Sequence, residues 1–260
     1  MDTKTVPDLK TEFTRVVKIL DSAVAALHSD HPAEDDRVAL RRILTEQKER
    51  DLGTRLHVER VASYAYGLLK AMGEEEDVAR FLMNAIKLHD AGKIDMPQEL
   101  LYNARKLTAE EFEQIKLHTV HGAERILNTS TGPLATTAAE IALYHHERLD
   151  GSGYHGLKGD DIPWFVRITA IADTFEAMTN ETRSYQQAKT PEEALAAMQD
   201  MQNENDGEYF DQAAFDAFKD IAVDMFHKSR EHKNIKALGE KAQHTTDIRS
   251  RIHGMKPPSG

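Results

Sequence analysis

The chain has 260 residues, 40% of them hydrophobic and 30% charged, with a net charge of −11. That is enough for one substantial domain and a smaller appendage, and the acidic balance argues against a nucleic-acid polymer as partner, because phosphate backbones attract basic surfaces. Cysteine is absent, which excludes disulfide scaffolds, thiolate catalysis and Cys-ligated zinc, so any metal must rest on Asp, Glu and the 13 histidines.

Apolar residues recur at spacings of three and four nearly throughout, which predicts an all-α chain. Helices are expected near 8–28, 35–50, 54–72, 75–89, 108–128, 134–147, 165–179, 190–203 and 211–230. Residues 1–50 read as a separate N-terminal helical element, charged around HSDHPAEDD, with a main bundle over 51–228. Residues 229–260 form a polar tail ending in KPPSG, whose last residues are expected to be disordered. Thr108 before Glu110 and Glu111 reads as a helix N-cap, and Thr190-Pro191-Glu192-Glu193 reads the same way. Gly73 sits where a helix C-terminus is expected. The glycine-rich stretch from Asp150 to Pro163 is the longest irregular segment, the kind of loop that carries function. No internal repeat is found. No run approaches the roughly 18 apolar residues of a membrane helix, and the N-terminus lacks the basic start and apolar core of a secretory signal. No membrane insertion and a cytoplasmic location are the default expectations.

His89-Asp90, followed by Ala91-Gly92-Lys93, ends an apolar helical run and can offer a nitrogen and a bridging carboxylate to two nearby cations. His145-His146-Glu147 ends a second apolar helix and leads into the glycine-rich loop. His57 and His118 stand singly on helical stretches, where a surface or satisfied core histidine is the ordinary reading. Asp173 differs, because Ile168, Ala170, Ile171 and Ala172 around it imply burial. A buried carboxylate costs several kcal/mol without a partner, and a metal ion is one such partner.

The order of these residues resembles the HD-GYP family. The series is His57-Val58-Glu59-Arg60, His89 through Lys93, His118 with Gly122, His145 through Tyr154, and Asp173, and the resemblance covers roughly residues 50 to 220. It implies an HD-domain helical bundle with a short N-terminal extension and a metal site in its core. It implies hydrolysis of cyclic di-GMP to linear pGpG, and in some members on to GMP. By position, His57, His89, Asp90 and Asp173 would hold one divalent metal, and Asp90, His118, His145 and His146 a second. Iron or manganese stands first for both, with zinc, nickel or magnesium as options. Two such cations suit a phosphodiester, which is anionic and resists attack by water. Asp90 and Lys93 would act in catalysis, while Lys93, Arg183 and Tyr154 would contact the substrate.

Two departures matter. Gly53 stands where many members carry a Glu associated with a third metal, so a binuclear site is expected. The naming Gly-Tyr-Pro is Gly153-Tyr154-His155, which adds a backbone N–H and frees a dihedral; a loop histidine without an assigned role is the expectation for His155. His121 is expected to be exposed, and Glu147 and Asp150 to fix loop geometry. Three functions compete: an active cyclic di-GMP phosphodiesterase, a module that binds a nucleotide or protein partner with little turnover, and a hydrolase for another cyclic dinucleotide or nucleotide. Two amphipathic N-terminal helices could pair between chains as a homodimer or cover the bundle.

Overall fold

The structure is a computed structural model that describes residues 9–26, 36–50, 52–102, 105–181 and 187–229. Its helices are α1 (Leu9–Ala26), α2 (Asp36–Arg50), α3 (Leu52–Ala71), α4 (Glu76–Ile86), α5 (Gln98–Leu101), α6 (Ala109–Thr129), α7 (Pro133–Tyr144), α8 (Trp164–Thr179) and α9 (Pro191–Glu204). A tenth, α10, runs over 212–229. Two 3-10 turns lie at Ala91–Asp95 and Gly159–Asp161. No strand occurs among the described residues, as the helical spacing predicts. The chain divides into compact units at 1–221 and 222–260, and every residue of the site lies in the first. Of the second, the end of α10 at 222–229 is described. Arg183 and the tail beyond 229 lie outside the described residues.

The core forms where α3 and α8 pack side by side. Tyr64 of α3 meets Phe175 of α8 edge-on at 5.2 Å, and Phe175 meets Phe218 of α10 at the same distance. Such edge-to-face pairs add to the gain from burying the rings. α4 buries Ala79, Leu82, Ala85 and Ile86, residues spaced for one helical face, while α7 buries most of its length.

Both expected N-caps are capping boxes: Thr108 with Glu111 starts α6, and Thr190 with Glu193 starts α9. α7 begins differently. Asp36, from α2, accepts the Leu134 N–H at 3.0 Å and is hydrogen-bonded by the Ser130 hydroxyl, so an acid from the N-terminal segment occupies the positive end of α7. α1 also lies on the bundle, with Val16, Leu20 and Ala23 buried and Arg15 donating to both carboxylate oxygens of Glu124 at 2.7 Å.

Two helix ends differ from expectation, both at the chemistry. The helix expected to 89 stops at Ile86, and Leu88 and His89 donate to Ala85 and Ile86, a tight i to i−3 pattern. The helix expected to 147 stops at Tyr144. Both metal-type motifs therefore sit just past a helix end, where the chain can turn inward. Gly92 lets it do so. A Cβ there would collide with the backbone oxygen of His118 and lie 2.6 Å from the Gly122 nitrogen, so only glycine allows this turn to touch α6.

Candidate metal centre

Five elements bring their side chains to one buried point. α3 supplies His57, the turn after α4 supplies His89 and Asp90, α6 supplies His118, the end of α7 leads to His145 and His146, and α8 supplies Asp173. Of these, His57, His89, Asp90, His118, His145 and Asp173 are all buried, and His146 is half-buried.

Asp90 stands between two groups. Its Oδ2 lies 3.4 Å from Nε2 of both His57 and His89. Its Oδ1 lies 3.5 Å from Nε2 of His118 and 3.9 Å from Nε2 of His145. Asp173 joins the first group, its Oδ1 being 3.2 Å from Nε2 of His57 and 3.9 Å from Nε2 of His89. His146 joins the second, because ligand atoms of His118, His145 and His146 lie within 4.8 Å of one another, as do those of His57, His89 and Asp90.

The rings are aimed by what holds their far nitrogens. Nδ1 of His89 meets the Ile86 carbonyl at 2.9 Å, Nδ1 of His118 the Ile115 carbonyl at 2.7 Å, and Nδ1 of His145 the Ala142 carbonyl at 3.0 Å. A carbonyl only accepts, so each Nδ1 carries a hydrogen and each ring aims its Nε2 inward, the atom that holds the lone pair in the neutral imidazole. His57 is held by an acid, Glu176, at its Nδ1, and Arg60 binds the other oxygen of Glu176.

Burial keeps the second group neutral. It pushes His118 down to about 4 and His145 and His146 well below the ordinary histidine range. Burial would lower His57 as well, but the charge of Glu176 with Asp173 and Asp90 outweighs it and raises His57 well above its ordinary value. For Asp90, burial favours the neutral acid, yet Lys93 and the neighbouring histidines hold it well below the usual carboxylate range. Lys93 Nζ is 2.6 Å from Asp90 Oδ2.

These donors fit divalent cations. Asp90 Oδ1 is buried with no hydrogen-bond partner. Nε2 of His118 and His145, two rings kept neutral by burial, face each other at 3.4 Å, so lone pair stands against lone pair there. A cation shared among them satisfies all of these atoms.

Beside this centre lies a cleft of about 720 Å3. Lys93, Phe112, Arg148, Tyr154, Asp173 and Tyr209 are among its walls. Tyr154 tilts against His146, ring centres 4.4 Å apart, and Arg148 lies over Tyr209 at 5.2 Å.

Glu147 and Asp150 act as loop formers. Glu147 accepts the N–H groups of His155 and Leu157, each at 2.8 Å, and Asp150 accepts the N–H of Ser152 at 2.8 Å. A Cβ on Gly153 would lie 2.5 Å from the Glu147 Cα, so the loop folds this tightly only with glycine. His155 is not among the cleft walls, and His121 is half-buried, its buried Nδ1 without a hydrogen-bond partner, where exposure was expected. Glu176, Phe112 and Tyr209 carry no motif. Glu176 lies three residues after Asp173, on the same face of α8, a spacing too common to single it out among 44 acids.

A family model described as HD domain matches residues 16–212. The chain is 36% identical over 212 residues to a protein of Thermotoga maritima named cyclic di-GMP phosphodiesterase, covering 81% of this chain and 54% of the relative. It is 44% identical over 149 residues to a protein of Vibrio cholerae named 3'3'-cGAMP-specific phosphodiesterase 2, covering 57% of this chain and 28% of that one. The chain thus spans about half the length of the first relative and less of the second. Among solved structures, the HD domain of the phosphodiesterase PgpH of L. monocytogenes, in complex with cyclic-di-AMP, superposes with a TM-score of 0.55 at 19% identity, over 72% of this chain and 96% of that one. No helix of the described residues is long and apolar enough to cross a membrane.

Proposed function

The chain belongs to the HD domain family, and from that premise we propose that it is a metal-dependent phosphodiesterase that hydrolyses cyclic di-GMP to pGpG, with GMP as the further product if cleavage continues. One observation carries the reading: the two oxygens of a single buried aspartate, Asp90, face two separate sets of histidines. His57, His89, Asp90 and Asp173 would hold one divalent ion, and Asp90, His118, His145 and His146 the other. Iron or manganese is the first choice and zinc, nickel or magnesium the alternative. When bound, the ions supply Lewis acidity and neutralise the charge that makes a phosphodiester resist water.

The chain's own residues do the rest. Lys93 keeps its ammonium at the edge of the cleft and beside Asp90, placed to meet a phosphate oxygen. Tyr154 walls the cleft next to His146. Arg183, outside the described residues, is proposed as a further substrate contact. With Gly53 in the cleft wall, that position offers no carboxylate for a third ion, and two ions per chain are proposed. A functional division into residues 1–50, 51–228 and 229–260 belongs to the same reading. So does a cytoplasmic site of action, and so does a homodimer through the N-terminal helices, which would use their outer faces, where Val38 is 70% exposed.

The test is hydrolysis by protein reconstituted anaerobically with Fe(II) or Mn(II), offered cyclic di-GMP, 3'3'-cGAMP and cyclic di-AMP, beside Asp90→Asn. Turnover of cyclic di-GMP that vanishes in the variant is the expected result. A preference for 3'3'-cGAMP is the second reading, favoured by the 44% identity to the Vibrio cholerae relative. Tight binding without turnover in metal-loaded protein would make the chain a binding module instead.

A further inference from the structure

The loop that carries Tyr154 is held from outside the bundle. The His155 ring stacks face to face on Phe13 of α1, with centres 4.1 Å apart and planes 13° from parallel. Tyr144 at the end of α7 closes the group, edge-on to Phe13 at 6.2 Å and to His155 at 6.4 Å. Nε2 of His155 is 3.2 Å from the Thr119 hydroxyl of α6, and the backbone N–H of His155 is fixed by Glu147. One residue earlier, Tyr154 faces the other way. It tilts on His146 and meets Phe112 edge-on at 5.9 Å, and its ring lies under the ammonium of Lys116 at 5.5 Å. α1 is itself tied to α6 through Arg15 and Glu124.

The peptide joining residues 154 and 155 therefore links a ring stacked on the N-terminal helix to a ring in the cleft wall. Neighbouring residues of a tight loop share one backbone, so a shift of His155 is passed to Tyr154 with little loss. Aromatic stacking of this kind adds to the burial of both rings, and it gives the loop one preferred seat on α1.

We propose that Phe13 and His155 are positioning residues: their stack seats the loop on α1 so that Tyr154 is held against His146 as the substrate-side wall of the cleft. The proposal rests on the phosphodiesterase reading only for what the wall touches, which is a cyclic dinucleotide. Neither residue meets substrate. The N-terminal helix would thus set the shape of the cleft while leaving the metal-type residues untouched.

The test uses full-length metal-loaded protein with Phe13→Ala, His155→Pro and His155→Phe. In Phe13→Ala and His155→Pro the KM for cyclic di-GMP is expected to rise on the order of tenfold, with bound metal unchanged. His155→Phe keeps a ring for Phe13 and is expected to restore most of the loss. In a Tyr154→Ala background, Phe13→Ala is expected to add nothing further. A signal independent of turnover is the ring resonance of Tyr154 in protein with labelled tyrosines, assigned with Tyr154→Phe; it should move or broaden in Phe13→Ala. A Phe13→Ala protein that loses thermal stability but keeps its KM and its Tyr154 resonance would overturn the proposal, as would effects of Phe13 and Tyr154 that simply add. If the protein hydrolyses no cyclic dinucleotide, the phosphodiesterase reading fails, and the Tyr154 resonance still decides whether α1 seats the loop.

Discussion

Glu176 lies three residues beyond Asp173 on α8 and meets Nδ1 of His57, while Arg60 holds its other oxygen. It is buried. Burial alone would favour its neutral form, but His57 and Arg60 outweigh that and lower it below the ordinary carboxylate range. An anionic Glu176 fixes the ring of His57 and makes its Nε2 a stronger donor. Glu176→Gln keeps the shape and removes the charge. Its expected effect is a weaker ion on the His57 side, by about 10- to 100-fold in affinity, with the His118 side unchanged; competition with a calibrated chelator measures both. At this scale the sequence was legible where motifs are dense. His145-His146 stands out because two consecutive histidines after an apolar helix are uncommon, whereas His89-Asp90 gains weight only from the motifs around it. Glu176 is one acid among 44, and nothing in its flanks announces that α8 turns it toward α3. The clustering of His57, His118 and Asp173 was likewise implied by resemblance alone, since separations of many tens of residues carry no local signal.

The helices themselves were legible from spacing, and the capping boxes at Thr108 and Thr190 marked two starts to the residue. The 3-10 turns were not, because runs of three to five residues show no period. One of them matters most. Asp90 opens the turn at Ala91–Asp95, and Gly92 within it touches α6 so closely that a Cβ would strike the His118 carbonyl. That same stretch of α6 carries the imidazole facing Asp90 Oδ1. Neither neighbour can move aside cheaply, since both are backbone. Gly92→Ala is expected to cost about 1–3 kcal/mol of stability and to separate Asp90 from His118. Thermal unfolding of the metal-free variant reads the first effect. The second appears as lost binding of the ion on the His118 side, more than of the ion on the His57 side. A variant that binds both ions normally would show that the turn has slack.

Across the whole molecule the two halves of the centre differ in protonation, and this predicts how metal and pH are coupled. A histidine must be neutral to bind a metal through its lone pair. On one side His118 sits at about 4 and His145 and His146 are also lowered by burial, so at neutral pH these imidazoles are already free of the competing proton. On the other side His57 is raised, despite its burial, by Glu176, Asp173 and Asp90, so at neutral pH the metal-free protein holds a proton there. Binding on the His57 side must therefore expel about one proton, and binding on the His118 side none. A raised pKa means that this proton is kept to a higher pH than on an ordinary histidine and competes with the ion at all lower pH. Below the folded pKa of His57, the apparent affinity on its side should fall about tenfold per pH unit, while the His118 side holds until the pH nears 4. Calorimetric metal titrations in buffers of different ionisation enthalpy count the protons, and elemental analysis after dialysis at stepwise lower pH shows the order of loss. The expected sequence is two ions per chain near neutrality and one, on the His118 side, at mildly acidic pH. Simultaneous loss of both would mean that Asp90 couples the ions so strongly that neither half stands without the other. Loss of the His118-side ion first would mean that the proton on His57 is not the competitor.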